Sequence, residues 1–183
     1  MLISAGSNAT ATIVDAAAIV QKCKRDLALA LGAPVSASRI YRTPAFPPGA
    51  GPDFANAVFS VPTTLSPKDV LVHLHRLEAD AGRVRDQRWG QRVLDLDLIA
   101  YGDTVAPDLA VWQRWHDLPL DQQMQKAPDQ LILPHPRAQD RPFVLVPLRD
   151  LCPAWVHPVL GLDVDAMLAR CDPADIAAVV ALD

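Results

Sequence analysis

Apolar positions along the first hundred residues change period several times, and each change marks an element. Met1 to Ser4 is a short apolar run ending in the turn residues Gly6, Ser7 and Asn8, which predicts a strand. Thr12 to Leu31 is rich in Ala, Leu and Ile and closes on Gly32 and Pro34, which predicts a helix. Val35 to Thr43 predicts a strand that Pro44 ends, and Ala45 to Asp53 has repeated Pro and Gly without periodicity, as a loop does. Phe54 to Thr63 predicts the next strand. Ser66 is a cap with Pro67 at the first helical position and Asp69 three residues on. Val70, Leu71, Leu74, Leu77 and Ala81 then recur at helical spacing until Gly82 stops the helix. An arginine-rich loop runs to Arg92, and Val93 to Tyr101 predicts a strand.

The order β-α-β-β-α-β predicts an α+β, ferredoxin-like core, an antiparallel sheet with both helices on one face. Beyond Gly102 the pattern loosens into a C-terminal extension. Pro107 to Asp129, with Trp112 and Trp115, is expected to be a surface excursion holding at most a short helix. Val144 to Leu148 is expected to be a last strand, and Asp163 to Ala169 and Pro173 to Leu182 to be helical.

At 183 residues, half of them apolar, the chain is expected to form one globular domain over residues 1–183. The net charge of -4 argues against a general nucleic-acid binder. Three scattered cysteines, Cys23, Cys152 and Cys171, suit reduced thiols in a cytosol. With no basic leader at the start and no bilayer-length apolar run, a cytoplasmic location and no membrane partner are expected.

The strongest chemical signal is Asp95-Leu96-Asp97 within an apolar strand. A period of two puts both aspartates on one face, about 7 Å apart, with Leu94, Leu96 and Leu98 on the other. Two such carboxylates suit Mg²⁺, which takes a couple of carboxylates, water and phosphate oxygens. Alone, the pattern is equally that of a half-exposed strand. Upstream, however, Arg83, Arg85, Arg88 and Arg92 crowd a loop with Trp89 between two of them, and guanidinium groups bind phosphate oxygens bidentately. Carboxylates for a cation beside arginines for phosphate make up a phosphoryl-transfer site. No Walker-type loop or protein-kinase signature is present. Gly6-Ser7-Asn8 reads as a plain turn. Glu78, at the edge of its helix's apolar stripe, either meets the aspartates or is a surface residue. His135 and Arg141 could add to an anion site, although a lone loop histidine is more often structural; Phe54 and Phe143 are core residues by default or hold a flat heterocycle between them, with Asn56 at its edge.

These motifs resemble the 6-hydroxymethyl-7,8-dihydropterin pyrophosphokinase family of the folate pathway. The resemblance runs through Gly6-Ser7-Asn8, Tyr41-Arg42-Thr43-Pro44, Asp53-Phe54-Ala55-Asn56, Gly82-Arg83-Val84-Arg85, the stretch Arg88 to Asp97, Pro134-His135-Pro136 and Arg141-Pro142-Phe143. It implies transfer of pyrophosphate from ATP to a pterin alcohol, releasing AMP, with two Mg²⁺ ions at Asp95 and Asp97. Thr43, Pro44, Phe46, Phe54, Asn56 and Phe143 would form the pterin pocket, with Phe54 and Phe143 sandwiching the ring. Arg83, Arg85 and Arg92 would stabilise the phosphates, and Glu78, Arg88, Trp89, His135 and Arg141 would bind ATP. Residues 107–129 would be an insertion relative to compact members. No obligate protein partner is implied. The rival from another class is an RNA- or protein-binding module using the arginine loop as an anion contact.

Overall fold

A computed structural model describes residues 1–45, 51–83, 92–119, 122 and 126–182. Its centre is strand β1 (Leu2–Ser7), buried along its whole length. Helix α1 (Ile13–Leu31) follows, then the short strands β2 (Ser36–Ala37) and β3 (Ile40–Thr43), β4 (Phe54–Ser60), helix α2 (Pro67–Asp80) and β5 (Asp95–Ala100). All pairings are antiparallel in the order β5-β1-β4-β3, which is the ferredoxin-like arrangement. Ser38 and Arg39 divide the expected continuous strand 35–43 into two pieces.

Local chemistry sets the helix ends as the sequence leads one to expect. The Thr12 hydroxyl accepts from Asp15 N, the Ser66 hydroxyl from Asp69 N, and Gly32 takes the left-handed conformation at φ 60. Ala16, Val20, Cys23 and Leu27 of α1 and Val70 and Leu74 of α2 pack on Ile3, Ala5, Ala57, Phe59, Leu96 and Leu98, all on one face of the sheet.

The opposite face departs from expectation. Residues 144–148, expected as a strand, lie within helix α4 (Pro142–Leu151), which follows helix α3 (Leu109–His116) in the chain. Val144, Leu145 and Leu148 are fully buried against Leu2, Tyr41, Val58 and Ile99. A short apolar run looks the same as strand or helix when it is covered on several sides, and here the sheet covers one side and α5 (Val164–Leu168) and α6 (Pro173–Ala177) others. The tail is helical only to Ala177. Val180–Leu182 forms strand β6, which pairs with β3 and extends the sheet edge. The excursion at 107–129 is also less superficial than expected, because α3 buries Trp112 to 1% exposure. No helix among the described residues is long and apolar enough to cross a membrane. The three cysteines are free thiols.

His157 closes the far end of this second layer. Its ring is fully buried, and Nδ1 accepts from Val159 N at 3.3 Å and Leu160 N at 3.2 Å, so the neutral ring carries its proton on Nε2. Burial, assisted by nearby His116, pushes its pKa down to about 4. The unfolded chain therefore takes up this proton first as pH falls, and stability is complete above about 6.5 and declines towards 4. The loss is on the order of 3 kcal/mol. His157→Asn, which keeps an acceptor for the loop and does not titrate, is expected to flatten the plot of Tm against pH in that window. An unchanged slope would remove His157 as its source.

Candidate active site

The helix α4 covers only part of the second sheet face. Towards the end of β1 the face is left for polar residues, and the alternation of three strands delivers them there. Gly6 of β1 is paired with Asn56 of β4 on one side and Asp95 of β5 on the other. Asp97 follows at the next same-face position of β5, and Thr43 and Tyr41 come from β3. Leu94, Leu96 and Leu98 point into the helix-side core, so the predicted division of leucines from aspartates holds.

The Asn56 amide donates to the Thr43 hydroxyl at 2.7 Å, and both side chains are buried. This pair forms a polar floor with its hydrogen bonding directed by the register of β3 and β4. Gly6 is required beside it: a Cβ there would stand 2.6 Å from Asn56 Oδ1. Phe54, half-buried, lies over the same spot, with Cδ1 3.6 Å from that position. Phe143, also half-buried, opens α4, and the Arg141 guanidinium sits over its ring at 5.7 Å. Among the described residues Phe54 and Phe143 do not stack on each other. Pro44 is exposed at the rim.

The charged half of the site is built around β5, which is the edge of the sheet. Arg83 lies between two carboxylates, bonding to Glu78 and reaching Asp95 Oδ1 at 2.6 Å. Arg92 bonds to the other oxygen of Asp95. Asp97 is freer: among the described residues it is paired with Arg141, whose Nη1 is at 3.7 Å. Glu78 is not a surface residue. It is 2% exposed on the helix side of the sheet, and its Oε1 accepts from Leu96 N at 2.8 Å. An edge strand presents unpaired N–H groups, and Glu78 takes one of them while holding Arg83 against Asp95.

His135 is fixed by its own backbone. Its N–H donates to Ile99 O at 2.8 Å, and Nδ1 accepts from Arg137 N at 3.1 Å. Burial, then the charges of Arg141 and Arg137, push its pKa down to about 3. It is therefore a neutral ring with a proton on Nε2, a hydrogen-bond donor rather than a cation.

The plain turn expected at Gly6-Ser7-Asn8 is not there: Gly6 and Ser7 are the last residues of β1, paired within the sheet, and only Asn8 lies beyond it. Asn8 is buried, its Oδ1 accepts from Arg92 N at 2.8 Å, its backbone N–H donates to Arg92 O at 2.9 Å, and its Nδ2 donates to Pro52 O at 3.2 Å. One side chain thus ties the end of the arginine loop to the end of the proline-rich loop. The signal for it was an asparagine directly after a strand buried on both faces, with loops of complementary chemistry elsewhere. Phe46, Arg85, Arg88 and Trp89 lie outside the described residues.

Among the described residues no group of three or more His, Cys, Asp or Glu side chains converges as a protein-only metal cage. Two carboxylates with all-oxygen chemistry are nevertheless a donor set that fits Mg²⁺, whose other positions go to water and phosphate. A soft metal such as zinc would find no thiolate or imidazole partner set there.

Residues 2–153 match the family model described as 7,8-dihydro-6-hydroxymethylpterin-pyrophosphokinase. The chain is similar to the 2-amino-4-hydroxy-6-hydroxymethyldihydropteridine pyrophosphokinase of Synechocystis sp., 38% identical over 148 residues, which is 80% of this chain and 65% of that relative. It is likewise similar to the protein of that name from Methylorubrum extorquens, 35% identical over 172 residues, 93% of this chain and 92% of the other. It spans just under two thirds of the first relative's length and nearly all of the second's. Its fold is similar to that of Plasmodium falciparum HPPK-DHPS, with TM-score 0.59 and 13% identity over 92% of this chain and 43% of that one.

Proposed function

From membership of the 7,8-dihydro-6-hydroxymethylpterin-pyrophosphokinase family, to which this chain belongs, we propose a magnesium-dependent transfer of pyrophosphate from ATP to 6-hydroxymethyl-7,8-dihydropterin, releasing AMP. The observation that carries the reading is the pair Asp95 and Asp97 on one face of an edge strand, with Arg83, Arg92 and Arg141 gathered around them. Mg²⁺ held by these aspartates, two ions in the full complex, would neutralise polyphosphate oxygens and bring the acceptor hydroxyl towards them.

The residues divide the work. Arg83, Arg92 and Arg141 neutralise carboxylates in the free protein, and with a cation on Asp95 and Asp97 their guanidinium groups turn to phosphate oxygens. His135 donates from Nε2 without adding charge, which lets it serve a phosphate or ribose oxygen across the working pH range. Glu78 orients Arg83 from behind. Thr43 and Asn56 present polar groups to the edge of the pterin, and Phe54 and Phe143 take its faces, with Pro44 at the rim. Phe46, Arg85, Arg88 and Trp89 complete the two pockets on the strength of the sequence resemblance. Attack of the pterin hydroxymethyl oxygen on the β-phosphorus breaks its bond to the oxygen bridging to the α-phosphorus, and AMP leaves. The substrates are small molecules, no nucleic-acid, membrane or obligate protein partner is invoked, and the enzyme works in the cytoplasm as one domain with an insertion at 107–129.

The test is AMP release from ATP and Mg²⁺ with and without the hydroxymethyl dihydropterin. AMP is expected only with the pterin present, and none in either case overturns the reading. In the same assay Phe143→Ala is expected to raise KM for the pterin about tenfold or more and KM for ATP by less than threefold, in keeping with an aromatic face worth about 1 kcal/mol beyond its buried area. Equal rises in both would take Phe143 out of the pterin pocket.

A further inference from the structure

The insertion places one side chain where the site depends on it. Trp112 of α3 is 1% exposed, and its indole Nε1 donates to the Pro134 carbonyl at 2.8 Å. Pro134 is buried, and among the described residues no backbone N–H reaches its carbonyl oxygen. A buried carbonyl needs a donor, and the indole supplies it. The other side of the indole is braced. It stacks on His116 with ring centroids 4.8 Å apart and tilts against His157 at 5.5 Å, while Trp155 meets the His157 ring edge-on at 5.6 Å.

The Pro134–Pro136 turn holds His135 beside the charged half of the site. It is joined to the sheet by His135 N to Ile99 O and to the start of the insertion by the reciprocal bonds of Ala106 and Leu133. Those contacts fix the chain before and at His135 along the strand direction. The indole bond adds a contact to Pro134 from a separate element, α3, whose Trp112 ring rests on His157.

We propose that Trp112 is a positioning residue, and that helix α3 is a strut from the His157 layer to the His135 turn that sets where His135 meets the nucleotide. This rests on the function proposed above. The variant Trp112→Phe keeps a six-membered ring to pack on His116 and His157 and removes the Nε1 donor together with the five-membered part of the indole. It is expected to raise KM for ATP about fivefold to tenfold while KM for the pterin stays within twofold. Amide exchange at His135 is expected to accelerate at least tenfold, with β1 amides unchanged. A fall in Tm with both KM values and His135 exchange as in the wild type makes Trp112 a packing residue only and overturns the proposal. Amide exchange is independent of turnover, so it decides the strut even where a missing AMP signal has overturned the function. Should Trp112→Phe not fold, the wild-type indole N–H resonance of Trp112 decides. A shift of that resonance on adding ATP supports coupling to the nucleotide, and its constancy at saturating ATP overturns it.

Discussion

Replacing Asp97 by alanine is expected to cut kcat about 10³-fold while moving Tm by no more than a few degrees. The expectation follows from how differently the two aspartates are held. Asp95 is clasped by Arg83 and Arg92, so removing it would also take a carboxylate from two guanidinium groups. Asp97 has a side chain 40% exposed and, among the described residues, an ion pair with Arg141 at 3.7 Å. A pair so exposed contributes about 0–1 kcal/mol to folding, which is a small shift in Tm for a chain of this size. The same carboxylate is a principal oxygen donor on its side of the proposed cation site. Losing preorganised charge at a phosphoryl-transfer centre costs on the order of 10²–10³ in rate. The measurement is AMP formation at saturating ATP and Mg²⁺, with thermal unfolding as the control. An Asp97→Ala enzyme within tenfold of wild type would sink the metal assignment. A large drop in Tm would instead give Asp97 a structural role that its exposure does not suggest.

The second large effect is on stability. Glu78→Leu is expected to destabilise the fold by about 3 kcal/mol, although leucine conserves most of the volume and suits a helix. Two groups are affected at once: the N–H of Leu96 on the edge strand loses its acceptor, and the Arg83 guanidinium keeps Asp95 but loses the carboxylate that holds it there. A buried donor left without an acceptor costs about 1–3 kcal/mol, and the lost half of the Arg83 pairing adds to it, less solvent screening because Arg83 is itself 19% exposed. Denaturant unfolding should show a lower midpoint with an unchanged slope. Glu78→Gln, which keeps an acceptor for Leu96, is expected to lose less. A Leu variant within 1 kcal/mol of wild type would return Glu78 to the status of a dispensable helix residue. Because Arg83 then no longer aims at Asp95, the Leu variant is also expected to lose turnover beyond what its unfolded fraction explains.

Asp97 and Glu78 also show what could be read from the chain and what could not. The period of two in Leu94 to Leu98 puts the aspartates on the face away from the core whatever else the protein does, because a strand has no other choice. Glu78 lay at the boundary of its helical stripe, where spacing leaves buried and exposed equally open. Its fate was decided by β5 being a sheet edge with a donor to satisfy, and an edge is a property of strand order. His135 stood out as a candidate in the sequence, yet its neutrality comes from burial and from Arg141 and Arg137 beside it. Asn8 was passed over as a turn because both of its partners, Arg92 and Pro52, are far away in sequence.

Residues 144–148 failed as a strand for a related reason. An apolar run of five with two valines carries no period, and its surroundings chose the helix. The run covers part of a sheet face whose remainder carries the polar residues of the candidate site, with Arg141 and Phe143 at the start of the helix between them. Val180–Leu182 joined the sheet because β3 had an open side. Trp112 was visible only as an aromatic in an irregular stretch.

By itself the sequence determined the ferredoxin-like strand and helix order, the helix caps at Thr12 and Ser66, the shared face of Asp95 and Asp97, and the motif pattern of the pyrophosphokinase family. These depend on periodicity and on residues close in the chain. The tertiary structure alone decided that Arg83 joins Glu78 to Asp95, that Asn8 ties two loops, that α4 leaves one end of its sheet face to polar residues, and that the Trp112 indole meets the Pro134 carbonyl. Each of those is a contact across many residues of chain, where the partner is chosen by which groups remain unsatisfied once the core has packed.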